Sequence, residues 1–259
     1  MFICFADRST FQLLLSPQQR AAEIGVYRGE YSQGLLNRNP SSLSLIDAWQ
    51  VPDPSQLLPA DSHANAQTQL DAAFHDYYPE GIALALPRAE SEVRARFAAE
   101  QAVSILKMSS AEAVESFADY SLDYVYIDAN HRFEFALADL NRWSRKVAPM
   151  GYLVLNDVYV SQRGALQFLG VMEAASQFIK LNDWVPLAMN TNSFSDLVLV
   201  RKSAMHLAEG DLSLPVQKML SILLSNGIPF IEVADTTLHS ARHKAILVDN
   251  QPFEFLSFA

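Results

Sequence analysis

Ala21-Ala-Glu-Ile-Gly-Val-Tyr-Arg-Gly-Glu-Tyr-Ser32 decides the fold. An apolar run ends in Gly25, a loop carries Gly29, and a helical pattern starts at Glu30. Strand, tight turn and helix start, in that order, form the opening corner of an α/β sheet. Ligands of such sheets bind beyond the carboxyl ends of the strands. Glycine suits this corner because the backbone turns sharply and a ligand can approach without a Cβ in the way.

Outward from this corner, Leu43-Ser-Leu-Ile46 reads as a second strand closed by Asp47-Ala-Trp49. Strand, helix and strand together have the size of a βαβ unit. Residues 7–19 upstream read as a short helix with Phe11, Leu14 and Leu15 on one face. Downstream, Pro52, Pro54 and Pro59 exclude regular structure until a helix at 63–77, which holds His63, His75 and Tyr77, with Tyr78 just beyond. A second helix over about 89–100 leads into a third strand, Val103–Lys107. Ser109 to Glu112 then has the S-x-x-E spacing of a capping box.

The fourth strand, Leu122–Ile127, ends in Asp128-Ala-Asn-His131, and the helix at 132–147 presents Phe135, Leu137, Leu140 and Trp143. Pro149-Met-Gly151 reads as a turn before a fifth strand, 152–155, that ends in Asn156-Asp157. A helix at 163–180 and an antiparallel strand pair at 184–188 and 196–200 close the pattern. The alternation predicts an α/β, doubly wound, mostly parallel Rossmann-like sheet over residues 1–202. Residues 203–259 break the rhythm, with a helix near 215–225 and strands at 230–234 and 245–249. They are expected to form a small C-terminal α+β extension, a lid or a dimer contact, which makes a homo-oligomer one expectation.

The chain has 259 residues, half of them apolar and 19% charged, enough for one large globular core. A net charge of −10 argues against nucleic acid as a partner, because phosphate contacts need a basic face. Arg88, Arg94 and Arg96 read as a solvated helix face. The single cysteine, Cys4, excludes an internal disulfide framework and fits a reducing compartment. The N-terminus lacks the basic region of a signal peptide, and no apolar run approaches a membrane span. The expectation is a soluble cytoplasmic protein without a membrane partner.

Polar residues end the predicted strands: Gly25 after the first, Asp47 after the second, Asp128 after the fourth, and Asn156 with Asp157 after the fifth. Asp47 stands about twenty residues past the glycine corner, where an acid accepts hydrogen bonds from ribose hydroxyls. The corner itself reads G-x-x-x-G, with Tyr27 and Arg28 inside it. The middle glycine that admits a pyrophosphate in G-x-G-x-x-G is missing. A ligand with a ribose and no phosphate, such as S-adenosylmethionine, fits better than a dinucleotide.

These motifs carry a resemblance. Glu23–Ser32, Leu45–Trp49, Ser104–Ser110, Asp123–His131, Asp139–Trp143 and Pro149–Asp157 are similar to the successive motifs of class I S-adenosylmethionine-dependent methyltransferases. The nearest branch is the small-molecule and sugar O-methyltransferases, which include the macrolide-sugar and catechol enzymes. The resemblance covers about residues 20–200 and implies a seven-stranded sheet whose last strand is antiparallel. It implies cofactor contacts from Glu23, Gly25, Tyr27, Gly29, Ser32, Asp47, Ala48, Trp49, Ser109, Ser110 and Asp128. Ser32 would lie near the methionine carboxylate, Asp47 on the ribose hydroxyls, Trp49 beside the adenosine, and Ser109 and Ser110 beside the adenine. It further implies a magnesium ion on Asp128, Asn156 and Asp157, and His131 as general base for the hydroxyl of a small-molecule or sugar acceptor. Where sugar enzymes tend to carry two acids after strand five, this chain has Asn156 and then Asp157.

Two rival functions fit the same pattern. One is an oxidoreductase using a nicotinamide cofactor, against which the missing glycine counts. The other is a catalytically inactive scaffold that keeps the fold and presents residues 203–259 to a partner.

Overall fold

The computed structural model describes residues 1–50, 75, 78–158, 170–191, 195–205 and 213–233, together with the backbone of 242–248 and 251–257. The elements begin with strand β1 (Phe2–Cys4), a 3-10 helix (Arg8–Leu14), β2 (Arg20–Ile24), helix α1 (Glu30–Leu36), β3 (Ser42–Asp47), α2 (Ile82–Arg96) and β4 (Val103–Lys107). After α3 (Ser110–Ala113) come β5 (Leu122–Ile127), α4 (Phe133–Trp143), β6 (Val147–Leu155), α5 (Val171–Leu181), β7 (Trp184–Asn190) and β8 (Leu197–Arg201). The remainder is α6 (Lys202–Met205), α7 (Leu214–Ser225), β9 (Phe230–Glu232), β10 (Arg242–Val248) and β11 (Gln251–Ser257).

Consecutive strand residues point to opposite faces, and both faces of this sheet are apolar. On one side Ala21, Leu43, Leu45, Tyr124 and Tyr126 pack against Leu14, Leu35, Val93 and Met219. On the other, Ala22, Ile24, Ile46, Val125 and Ile127 pack against Leu140, Trp143 and Phe178. Both faces must be covered for strands so apolar, which is the doubly wound arrangement.

The main sheet has nine strands, not seven, in the order β4-β3-β2-β5-β6-β8-β7-β1-β9. Its first seven positions form the expected unit: β4, β3, β2, β5 and β6 run parallel to one another, and β8 is antiparallel to both β6 and β7. The two additions are β1, parallel to β7, and β9, antiparallel to β1. Phe2, Ile3 and Cys4 are buried, and burial pushes the free Cys4 thiol up to about 12.

Two further expectations change. The stretch 230–234 does not pair with 245–249; β9 joins the main sheet, and β10 pairs with β11 in a separate two-stranded ribbon. Pro149-Met-Gly151 is not a turn between helix and strand. It lies inside β6, where the register against β5 shifts between Leu122 and Tyr124. The 7–19 helix contracts to the 3-10 turn, and the expected 89–100 helix begins earlier, at Ile82. Most of the helix expected at 63–77 lies outside the described residues, as does the start of the one expected at 163. Helix α7 packs Met219, Ile222 and Leu223 into the core, and its Lys218 donates to the Leu14 carbonyl (2.6 Å) and the Ser16 hydroxyl (2.7 Å).

Candidate active site

The chain runs outward from β2 to β3 and β4, then crosses back to β5. The carboxyl ends of β2 and β5 are therefore neighbours at the switch point, where open α/β sheets bind ligands. Gly25 has φ +88°, and a Cβ there would sit 1.9 Å from the Asp128 carbonyl oxygen. The glycine is thus required by the close passage of the Asp128–Ala129 backbone, not by ligand approach. Gly29, at φ +71°, faces Val93 and Phe97 of the α2 end in the same way.

Asp47 organises this corner. Its Oδ2 accepts from the backbone N–H of Val26 and of Tyr27, both at 2.9 Å, and its Oδ1 accepts from Trp49 N–H at 2.7 Å. Trp49 Nε1–H in turn donates to the Tyr27 carbonyl at 2.9 Å. These bonds hold Tyr27 at φ +49° and Trp49 at φ +42°, the left-handed region that bulky residues avoid. Burial raises the Asp47 pKa, and the three backbone donors partly offset this. The carboxylate expected on the ribose hydroxyls also joins two strand ends. Ala48 stands between Asp47 and Trp49 in the sequence of this loop.

Four other expected cofactor residues, Glu23, Ser32, Ser109 and Ser110, have side-chain partners within the protein. Ser32 is fully buried and donates to Glu23 Oε2 at 2.6 Å; Glu23 is likewise buried, which pushes its carboxyl up to about 8. Ser110 donates to Asp139 and accepts from Trp143 Nε1–H at 2.8 Å, so it ties α3 to α4. Ser109 forms the expected capping box with Glu112. Arg88 and Arg94 pair with Glu92 and Glu90 on the exposed face of α2, whereas Arg96 donates to the Gly29 carbonyl at 2.9 Å.

At the end of β5 the structure brings together what the sequence spaced apart. His131 Nε2 lies 3.3 Å from Asp128 Oδ1, and His131 Nδ1 lies 3.4 Å from Asp157 Oδ2. Burial pulls the imidazole pKa down, but Asp128 and Asp157 more than offset it, so the net shift is upward. Asp157 itself is raised by burial, with His131 acting against the rise, and it has φ +54°.

One participant had no signal in the sequence. Arg8, from the N-terminal 3-10 helix, donates through Nη2 to Asp128 Oδ2 at 3.2 Å. Its guanidinium lies over the Tyr31 and Tyr126 rings at 5.1 and 5.6 Å, and those rings stack on each other at 3.7 Å.

The expected magnesium set does not fit this arrangement. Asn156 is buried, and its Nδ2 donates to Asp196 Oδ1 at 2.8 Å, inside a network that Tyr126 joins through the other Asp196 oxygen. Burial pushes Asp196 up to about 7, and the Asn156 bond opposes the rise. The two remaining carboxylates, Asp128 and Asp157, are bridged by His131, and Arg8 covers the second Asp128 oxygen. A hard cation needs free oxygens converging on one point. Among the described residues, no group of three or more His, Cys, Asp or Glu is placed to hold a metal ion. Nor is any described helix long and apolar enough to cross a membrane.

A doubly wound sheet with a glycine corner, an acid after the second strand of its first βαβ unit and a charged cluster at the switch point is a Rossmann-like α/β fold with a candidate ligand crevice at that point. The profile of the methyltransferase domain family matches residues 22–158, and the chain belongs to that family. Over those residues it carries a methyltransferase domain on a Rossmann-like α/β sheet. A search of curated proteins finds no match. Among solved structures, PH0851 is 11% identical with a TM-score of 0.50 over 74% of this chain and 45% of its own. A spermidine synthase in complex with the transition state analogue AdoDATO is 12% identical (TM-score 0.45), with 82% of this chain covered and 59% of that chain. The N-methyltransferase NodS from Bradyrhizobium japonicum WM9 is 13% identical (TM-score 0.46), with 74% and 90% covered. This chain thus spans less than two thirds of the length of two of these three. Likeness at such identities concerns the fold alone.

Proposed function

We propose that the protein transfers a methyl group from S-adenosylmethionine to a hydroxyl of a small molecule or sugar, with His131 taking the acceptor's proton and without a metal ion. The observation that carries this reading is the placement of His131 between Asp128 and Asp157 at the switch point. When bound, S-adenosylmethionine supplies a methyl carbon activated by its sulfonium. Gly25, Tyr27 and Gly29 would form the turn beside its methionine part, Asp47 and Trp49 would hold the adenosine side, and Asp128 would face the sulfonium end. The donor set suits a cationic nucleoside without phosphate, since the corner offers carboxylates and backbone but no phosphate cradle.

The chain's own residues then have two tasks. Displacement at a methyl carbon needs oxygen, carbon and sulfur in line, so positioning carries much of the acceleration. The hydroxyl must also lose its proton as the oxygen–carbon bond forms. Asp157, against Nδ1, fixes the imidazole's orientation and leaves Nε2 as the proton acceptor once an acceptor hydroxyl displaces its contact with Asp128. The test has two parts. Calorimetric titration establishes cofactor binding, with and without magnesium, and a screen of hydroxylated acceptors finds a substrate. With that substrate, His131→Ala is expected to lower kcat by about a hundredfold or more with little change in cofactor affinity. In the wild type kcat/KM rises with pH, because the base must be unprotonated, and its midpoint lies above the ordinary 6.5 of histidine because Asp128 and Asp157 raise the imidazole pKa in the free protein. A full rate in His131→Ala removes the base assignment. Absence of cofactor binding leaves the inactive-scaffold reading in its place.

A further inference from the structure

The methionine end of S-adenosylmethionine is an α-amino acid, with a carboxylate and an ammonium on one carbon. Ser32, the residue expected beside that carboxylate, is fully buried with its hydroxyl on Glu23, so it presents nothing to the crevice. Arg28, the cation inside the glycine corner, lies against Glu80 at 3.4 Å and Glu92 at 3.6 Å. Arg8 is placed differently. The stacked rings of Tyr31 and Tyr126 support its guanidinium from one side, and its side chain remains 45% exposed. Only one of its nitrogens is bonded to Asp128, whose side chain is also partly open to solvent.

We propose that Arg8 and Asp128 form the receptor for the α-amino-acid end of the cofactor. Arg8 takes the carboxylate, Asp128 takes the ammonium, and the ion pair between them is the closed form of that receptor. The proposal rests on the S-adenosylmethionine reading above. Adjacent opposite charges on the protein are the mirror of a zwitterion, so insertion of the ligand exchanges one ion pair for two. The pair is partly open to solvent and is joined by one contact, Arg8 Nη2 to Asp128 Oδ2 at 3.2 Å, so the rest of the guanidinium fork is not engaged with Asp128. The planar fork of arginine offers two parallel N–H donors to a carboxylate, a geometry a serine hydroxyl does not match. The tyrosine floor keeps the fork's plane fixed while its edge changes partner.

The experiment measures binding of S-adenosylhomocysteine and of 5′-methylthioadenosine, which keeps the nucleoside and thioether but lacks the amino-acid end. Both are titrated into the full chain, wild type and Arg8→Gln. The expected result is that Arg8→Gln weakens S-adenosylhomocysteine by about tenfold or more while 5′-methylthioadenosine stays within about twofold, the signature of a lost charge-assisted carboxylate contact. Equal weakening of both ligands overturns the proposal, because it reports general damage to the crevice. Unchanged binding of S-adenosylhomocysteine also overturns it. If the wild type binds neither ligand, the cofactor reading itself fails, an outcome distinct from a failure of Arg8 alone.

Discussion

Glu23 shows how a single buried side chain makes stability depend on pH. Its carboxyl lies between β2 and α1 with Ser32 as partner, and burial moves it from 4.5 to about 8. The folded protein therefore holds a proton there that the unfolded chain releases near pH 4.5. Its contribution is fully present below that pH and is lost as pH rises towards about 8, with a ceiling of ~5 kcal/mol at about 1.4 kcal/mol per unit. Urea unfolding at pH 5 and pH 8 should show this decline in the wild type. In Glu23→Gln, which keeps the shape and hydrogen bonding without the charge, the slope should flatten and stability at pH 8 should match or exceed that of wild type. An unchanged slope would locate the pH dependence elsewhere, with Asp196 the next group to test.

At the scale of elements, α7 and β9 tie residues beyond 203 to the methyltransferase sheet. Met219 is fully buried on the same face as Leu14, Leu35 and Val93, and Lys218 bonds the N-terminal 3-10 helix. Met219→Ala should lower the unfolding free energy of the whole sheet by about 2–5 kcal/mol, the usual cost of a methionine-sized cavity. The readout is one cooperative urea transition shifted to lower midpoint. A first, small transition followed by an unshifted main one would mean that the helix opens independently. Sequence reading separated this segment because its rhythm departs from strand–helix alternation. The packing that reunites it depends on contacts with residues two hundred positions away, such as Lys218 to Leu14.

At the scale of the molecule, the legible part of the chain was the part written locally. The glycine corner, the strand ends at Asp47, Asp128 and Asp157, and the capping box at Ser109 each lie within a few residues of the signals that betray them. Polar residues after apolar strands must meet at one sheet edge, so proximity of Asp128, His131 and Asp157 followed once the topology was read. What stayed hidden was set by distant partners. Asn156 is turned inward by Asp196, forty positions on, and Arg8 reaches Asp128 across 120 residues. Strand β1, at three residues, is too short for period-two alternation to register, and it exists because β7 and β9 offer it backbone partners on both sides.

That short strand carries the chain's single cysteine. A thiol with no solvent access and a pKa pushed to about 12 does not react with a disulfide reagent until the strand swings out. Cys4 is therefore a built-in clock for the opening of the β7-β1-β9 edge, readable by reagent colour without any introduced label. Labelling should be slow in the native protein and saturate with reagent concentration at the opening rate. Because β1 leads directly to the turn that carries Arg8, the same clock should slow when S-adenosylhomocysteine is added. A rate indifferent to that ligand would mean that the edge opens without disturbing Arg8.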